Sequence, residues 1–363
     1  MKELKNLYEL ARKSHQFTIE QAVDLYTKTP LVTLMSLAQE IRFKTIPQKA
    51  VSWQIDRNVN YTNVCISGCL FCNFHCKLHE KEKEKIVSID EYKEKIKVLK
   101  EYGGNQLLLQ GGLHPKYDIN YYKSLFKQLK EIEPNLKLNA LGPPEIAHIA
   151  RISKLTYKET LEQLIDSGLD TLPGAGAEIL SDRVRKIISP AKPSVSQWIE
   201  VMKIAHQMRL STTATMVYGH IETIEERMQH LLTLRDIQSE KPENSPGFRA
   251  FICWPMQTKG TVLNEKYGPF APITPADHLR MIAISRILLN NIKHIQASWL
   301  TVGIETAKLS LHAGADDMGS IMIEENVVAS AGSTNTLDKE NMVKAIKDAG
   351  FTPWLRDQQY NKV

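Results

Sequence analysis

Four of the chain's five cysteines fall within twelve residues, in the run Asn60 to Cys76 that reads NYTNVCISGCLFCNFHC. Thiols crowded in this way, in a chain that keeps them reduced, point to metal or redox chemistry rather than to disulfides. Cys65, Cys69 and Cys72 have the spacing C-x3-C-x2-C, and Gly68 lets the loop between them turn. Three thiolates from one tight loop can hold three irons of a [4Fe–4S] cluster and leave the fourth iron open to a small molecule. The same residues allow two other arrangements: a four-cysteine zinc knot that includes Cys76, or a four-thiolate electron-transfer cluster. In the three-ligand reading Cys76 is a spare thiol. Cys253 stands alone and reads as a small core residue.

The other groups with chemical potential stand just after short apolar segments. Gln110, Gly111 and Gly112 follow one of them, and two glycines at a strand end let a ligand approach the backbone closely. Pro143, Pro144 and Glu145 follow the next. Glu178 lies in PGAGAEILSDRVR among small residues, with Arg183 and Arg185 behind it. His220 and Glu222 lie in YGHIET, and the reference pKa of a histidine is near neutrality. Gln257, Glu324, Glu325 and Asn326 follow later segments, Ser298 and Trp299 lie at the end of another, and Trp299 could offer a flat surface to a ring.

These positions become a site only if the segments form one sheet. From about residue 53, short apolar stretches alternate with amphipathic ones of twelve to eighteen residues. Eight strands are predicted: Asn58–Val64, Gln106–Gln110, Lys137–Leu141, Thr171–Pro173, Ser211–Tyr218, Phe248–Trp254, His294–Leu300 and Gly319–Ile323. Ser88 with Glu91, Thr156 with Glu159, Ser194 with Gln197 and Thr223 with Glu226 fit capping boxes, and Thr274–Pro275 fits a cap with proline behind it. Gly103, Gly168, Gly314 and Gly350 mark expected helix ends. Alternating βα units imply a parallel sheet, and eight of them favour a closed (β/α)8 barrel of the TIM type over an open doubly wound sheet. In either fold ligands bind at the C-terminal ends of the strands. The first fifty residues read as helices, with Leu4, Leu7, Leu10 and Ala11 on one face and Ile19, Ala22, Val23 and Tyr26 on another. The division expected is a helical section at 1–50, a core barrel at 51–300, and a segment at 301–363 that completes the barrel.

Composition narrows the class of function. The chain has 363 residues, of which 42% are hydrophobic and 24% charged, so it can bury a large core without staples. A net charge of +5 over this length suits a small anionic substrate and does not signal nucleic acid. The run Lys77–Lys85 alternates its signs, as a solvated segment does. No apolar run is long enough to span a membrane, and the N-terminus lacks a signal-peptide pattern, so a cytoplasmic protein is expected.

CISGCLFC, with aromatic Phe71 before its last cysteine, resembles the signature of radical S-adenosylmethionine (SAM) enzymes. The resemblance implies a barrel of that family's kind, a [4Fe–4S] cluster on Cys65, Cys69 and Cys72, and SAM chelated at the open iron. It also implies a one-electron donor such as flavodoxin or ferredoxin, and a 5′-deoxyadenosyl radical that takes hydrogen from a substrate. Gln110, Gly111 and Gly112 look like the family's glycine-rich segment that meets the methionine amino group, although the usual acidic residue is missing. Phe71, Glu178, His220 and Glu222 are the further cofactor-binding residues that the resemblance implies. DRNVNYTNVC, QGGLHP, PPEIAHIARIS, TTATMVYGHIET, QASWLT and MIEENVV extend the likeness over nearly the whole chain, to the menaquinone (futalosine pathway) branch. That branch implies a small-molecule substrate, dehypoxanthine futalosine. Hydrogen would leave its ribose, and the sugar radical would add to its carboxylated ring. His220, Glu145 and Glu178 are the candidate proton acceptors, and Gln257, Ser298, Trp299, Glu324 and Asn326 the candidate substrate contacts. Sibling enzymes that make aminofutalosine or a deazaflavin precursor, and a non-enzymatic iron–sulfur or zinc module, are the alternatives.

Overall fold

The computed structural model describes residues 2–332 and 334–363. Met1, at the head of the expected helical section, and Ser333, in the expected C-terminal segment, lie outside the described residues. Helices Lys2–Arg12, Ile19–Lys28 and Leu31–Thr45 come first. Ten strands follow: β1 (Ala50–Gln54), β2 (Asp56–Asn60), β3 (Gln106–Gln110), β4 (Lys137–Ala140), β5 (Thr171–Leu172), β6 (Ser211–Tyr218), β7 (Phe248–Pro255), β8 (His294–Gln296), β9 (Asp317–Ser320) and β10 (Thr352–Leu355).

All the ladders are parallel, in the order β10-β1-β9-β8-β7-β6-β5-β4-β3-β2. β1 and β2 are one extended run interrupted at Ile55, so the two halves of a single stave sit at both ends of the strip. The carbonyls of Gln54 and Asp56 accept N–H bonds from Ile321 and Ile323, which brings the ends together. The result is the TIM-type barrel, with β10 added outside β1.

The eight expected strands are all present, Gln106–Gln110 and Ser211–Tyr218 as expected and the other six with shifted ends. Two were not expected. β1 merges with β2 in the sequence, and β10 is a short stretch behind the last long helix. β8 stops early because Ser298 takes a left-handed conformation (φ +55°) and its hydroxyl donates to Cys253 O at 2.6 Å. The next residues then coil into the short helix Trp299–Val302. The four predicted capping boxes are formed, and Thr274 forms another with Asp277.

Side-chain alternation sorts the strands into two faces. Val59, Leu107, Leu109, Met216, Phe251 and Cys253 face the helices and are fully buried. Asn58, Asn60, Gln106, Gln110, Asn139 and Thr171 face the interior, which is therefore polar. Val217, Ile252, Trp254 and Gln296 are only half-buried, although their strands are covered by helices outside. Their register, Val217 beside Trp254 and Ile252 beside Gln296, places them on the inner wall of a hollow. Among the described residues, no helix is long and apolar enough to cross a membrane.

Candidate functional site

The cysteine loop leaves β2 at the C-terminal mouth and is fastened on every side. Cys65 N–H donates to Cys76 O at 3.0 Å, and Cys76 N–H to Asn63 O at 2.9 Å, which closes the loop's base. Leu70 N–H donates to Ile188 O, and Leu70 O accepts from Leu263 N–H, each at 2.8 Å. The neighbouring turn presses in equally closely. Gly112 N–H donates to Thr62 O at 2.8 Å, and Leu113 N–H points at Cys65 Sγ at 3.2 Å. A Cβ on Gly111 would lie 2.8 Å from the Tyr61 ring, and one on Gly112 2.2 Å from Val64 O. The close approach read from these two glycines is thus made first by the protein itself, where the turn after β3 grips the loop after β2.

Within the loop, Ser67 Oγ lies 2.9 Å from Cys65 Sγ and 3.3 Å from Cys69 Sγ. Burial raises the Cys69 thiol to about 11 while the Lys192 ammonium pulls the other way. Burial also acts to raise Cys72, but hydrogen bonds from His75 and from the backbone N–H groups of Phe74 and His75 bring it below the ordinary thiol value. Cys76 Sγ turns aside to Asn63 Oδ1 at 3.4 Å. Three thiols at the mouth and a fourth tied off elsewhere fit a [4Fe–4S] cluster held at three corners. Among the described residues, no three His, Cys, Asp or Glu side chains converge as they would on one metal ion.

A buried charged group stands beside the loop. Lys192 Nζ donates to Glu178 Oε1 at 2.6 Å and lies 5.4 Å from the centre of the Phe71 ring. Desolvation opposes the Lys192 charge, but Cys69 and Glu178 more than offset it and hold the ammonium above its usual range. Glu178 is ionised for the same reason: burial raises it, while Lys192 and Arg185 bring it below the usual carboxylate value. Its Oε2 has no hydrogen-bond partner among the described residues, and its backbone sits at φ +40°. That oxygen lies 3.6 Å from Arg185 Nη1, an ion pair without a hydrogen bond, and strain with an incompletely bonded buried oxygen at one residue marks a functional position. Glu145 starts the helix Pro143–Ser153 and is fully buried, which pushes its carboxyl up to about 7, against hydrogen bonds from its own and the Gly111 backbone.

His220 and Glu222 form a closed turn after β6. Glu222 accepts from the N–H groups of Gly219 and His220 at 2.6 and 2.9 Å, and from Arg227 Nε at 2.7 Å. His220 Nε2 donates to Val217 O at 3.2 Å, and burial lowers its pKa, so the ring is neutral. Gln110 Nε2 donates to Leu141 O at 3.2 Å. Gln257 lines a cleft of about 380 Å³ that also touches Lys259, Phe270, Ile273 and Thr301.

Several predicted contacts lie elsewhere. Trp299 is buried and its indole N–H donates to Ser320 O at 2.9 Å, so it is a packing residue and not a flat surface for a ring. Glu324 faces outward, to Arg57 Nε at 3.0 Å and Lys95 Nζ at 2.6 Å, and Asn326 bridges it to Asn60. Glu325 accepts from the backbone N–H groups of Val327, Val328 and Ala329. Arg185 is not a surface charge: it is buried and donates to Gly176 O, Ala177 O and Pro193 O. Arg183 pairs with Glu226 at the surface.

Sequence reading missed Ser67 and Lys192. Ser67 had a signal, a hydroxyl between two cysteines. Lys192, in SPAKPS, had none, because it reaches the loop only through the fold.

The family model described as the Radical SAM superfamily matches residues 59–234, and that of the CofH/MqnC C-terminal region matches residues 245–363. A cyclic dehypoxanthine futalosine synthase of Streptomyces coelicolor is 39% identical, over 99% of this chain and 88% of the relative. One of Halalkalibacterium halodurans is 38% identical, over 98% and 93%. A 5-amino-6-(D-ribitylamino)uracil–L-tyrosine 4-hydroxyphenyl transferase of Archaeoglobus fulgidus is also 38% identical, over 94% and 96%. Among solved structures, methylornithine synthase (PylB) superposes with a TM-score of 0.71 at 18% identity, over 97% of this chain and 98% of its own. The FeFe-hydrogenase maturase HydG of Carboxydothermus hydrogenoformans gives 0.76 at 14%, over 99% and 81%; these two likenesses concern the fold.

Proposed function

The chain belongs to the radical SAM superfamily, and from that premise we propose that it is the cyclase that converts dehypoxanthine futalosine to its cyclic product in menaquinone biosynthesis. The observation that carries the reading is full-length identity of 38–39% to two relatives named for this reaction, in a chain whose three mouth thiols fit the cofactor. When bound, a [4Fe–4S] cluster with SAM supplies a 5′-deoxyadenosyl radical that removes one hydrogen atom from the ribose.

Cys65, Cys69 and Cys72 hold three corners of the cluster in this reading, and Ser67 orders two of the sulfurs. Gln110, Gly111 and Gly112 would hold the SAM amino group, Lys192 and Glu178 set the charge beside Cys69 and Phe71, and the His220–Glu222 turn would hold the adenine. The substrate reacts with itself, so the protein's main work is to bring its two ends together and exclude water. After ring closure the ring must lose one electron, which the cluster left oxidised by SAM cleavage would take back, and one proton, which Glu145 would accept. A buried carboxyl poised near 7 suits that transfer better than a carboxylate locked to lysine or a neutral imidazole bound to a carbonyl. Residues 51–300 form the catalytic core of this scheme, 1–50 its helical flank and 301–363 the part that completes the barrel. The reading places the reaction in the cytoplasm, where free thiols stay reduced and a donor such as flavodoxin or ferredoxin is at hand.

The test is anaerobic incubation of the reconstituted enzyme with SAM, a strong reductant and dehypoxanthine futalosine. The expected product is lighter than the substrate by two hydrogens, with methionine and 5′-deoxyadenosine released. An unchanged substrate mass alongside SAM cleavage overturns the cyclase reading. The 38% identity to the Archaeoglobus fulgidus transferase favours a second reading, tested in parallel with that relative's named substrates.

A further inference from the structure

Two interior residues on separate walls have no task in the account so far. Trp254 stands near the C-terminal end of β7, the end at which the cysteine loop sits. Its outward-facing neighbours Phe251 and Cys253 are fully buried, whereas Trp254 and its ladder partner Val217 are half-buried on the hollow side. Of the five tryptophans, Trp53, Trp198 and Trp299 are buried in the core, and Trp354 lies on the added outer strand β10. Trp254 alone among them faces the hollow from its upper half.

Asn58 is the second residue. It lies on β2, with β3 to β6 between it and β7, so it stands across the barrel. It is 95% buried, its side chain makes no hydrogen bond among the described residues, and its Oδ1 is sealed from the surface. A primary amide presents four hydrogen-bonding positions, and leaving them empty inside a folded chain is costly. Its neighbours do not share this condition: Asn60 is bonded to Gln110 O and to Asn326, and Asn139 accepts from Thr171.

We propose that Trp254 and Asn58 form the substrate cradle: the indole face stacks on the carboxylated aryl ring, and the Asn58 amide hydrogen-bonds the ribose hydroxyls. The assignment of ring and sugar to the two walls rests on the cyclase reading. Both residues are positioning residues. Bond formation needs the ring held over the sugar carbon, and one flat contact with one polar contact from separate walls fixes that relation.

The test uses cluster-free protein and dehypoxanthine futalosine as the probe. Tryptophan fluorescence of the wild type is expected to fall on titration. Trp254→Phe should lose most of that quench while retaining affinity within a few-fold, since phenylalanine still stacks. Trp299→Phe should keep the quench. By calorimetry, Trp254→Ala should raise Kd about tenfold or more, and Asn58→Ala about fivefold. In the reconstituted enzyme, Trp254→Ala should raise KM far more than it lowers kcat.

Wild-type Kd in Trp254→Ala, or loss of the quench in Trp299→Phe instead, overturns the proposal. Should Trp254→Ala fail to fold, the fluorescence of the conservative variant decides. Conversion by the wild type with unaltered Trp254→Ala kinetics sinks the cradle and leaves the cyclase. Tight, Trp254-dependent binding without the two-hydrogen mass loss sinks the cyclase and leaves the cradle. No binding by the wild type sinks both.

Discussion

The floor of the barrel and its mouth both bury charge, and they handle it in opposite ways. At the floor, both oxygens of Asp317 are occupied: Arg356 reaches each of them, Ser52 donates to one, and Gln296 and the Gly319 N–H donate to the other. Asp316 is equally complete, with Arg286, His294 and the Ile295 N–H. Tyr360 stacks between His294 and Arg356, at 3.7 and 3.9 Å. At the mouth, Glu178 has one oxygen hydrogen-bonded by Lys192 and the other only ion-paired, 3.6 Å from Arg185 Nη1, and Glu145 is buried with only backbone donors. Completed networks hold a shape. Incomplete ones leave bonding capacity for another molecule; the floor has one such oxygen too, Asp56 Oδ1, which makes no hydrogen bond among the described residues.

The hardest break in this contrast is at the mouth. Replacing Cys65, Cys69 or Cys72 by Ala should abolish methionine and 5′-deoxyadenosine formation while the melting temperature of the cluster-free protein stays near wild type. An unfolded variant would make these cysteines part of the scaffold instead. At the floor the pattern inverts. Arg356→Met strands the Asp317 carboxylate inside the protein and should cost about 3–5 kcal/mol of stability in denaturant titration, with activity per folded molecule retained.

Glu145 sharpens the comparison through pH. Its folded pKa of about 7 lies above the ordinary 4.5, so the native state binds more protons than the unfolded state between those values. Stability therefore falls as pH rises through that window. Glu145→Gln should remove the slope and make the cluster-free protein more stable than wild type at pH 8 by about 3 kcal/mol at most, and less so below pH 5. A parallel pair of pH–stability curves would show that the carboxyl is not buried in solution. The smallest effect belongs to Cys76→Ala, which should keep most activity and the cluster iron. Loss of iron in that variant would move the fourth thiol into the ligand set.

How much of this was legible in the sequence followed the range of the interactions. Helix starts at Ser88, Thr156, Ser194 and Thr223 depend on residues three apart, and all four were readable. The cysteine loop is equally local. Trp299 was read as a flat surface for a ring because it lies near the end of a predicted strand; only the ladder register, with Ser298 turned into the left-handed region, tells which tryptophan faces the hollow. Lys192 and the floor of Arg356 and Asp317 depend on contacts across long stretches of chain, 39 residues in the second case, and no spacing rule reports them. β1 was hidden because it and β2 read as one apolar-to-polar run.

That shared run has a mechanical corollary. Ala50–Trp53 pairs with the last strand through Thr352–Leu355, and the same rod continues past Ile55 into β2, from which the cysteine loop leaves. Trimming the tail before Thr352 would therefore strip one flank of that rod and remove Arg356 together with it. β1, the strand that leads through β2 into the cysteine loop, would then be paired on its β9 side alone.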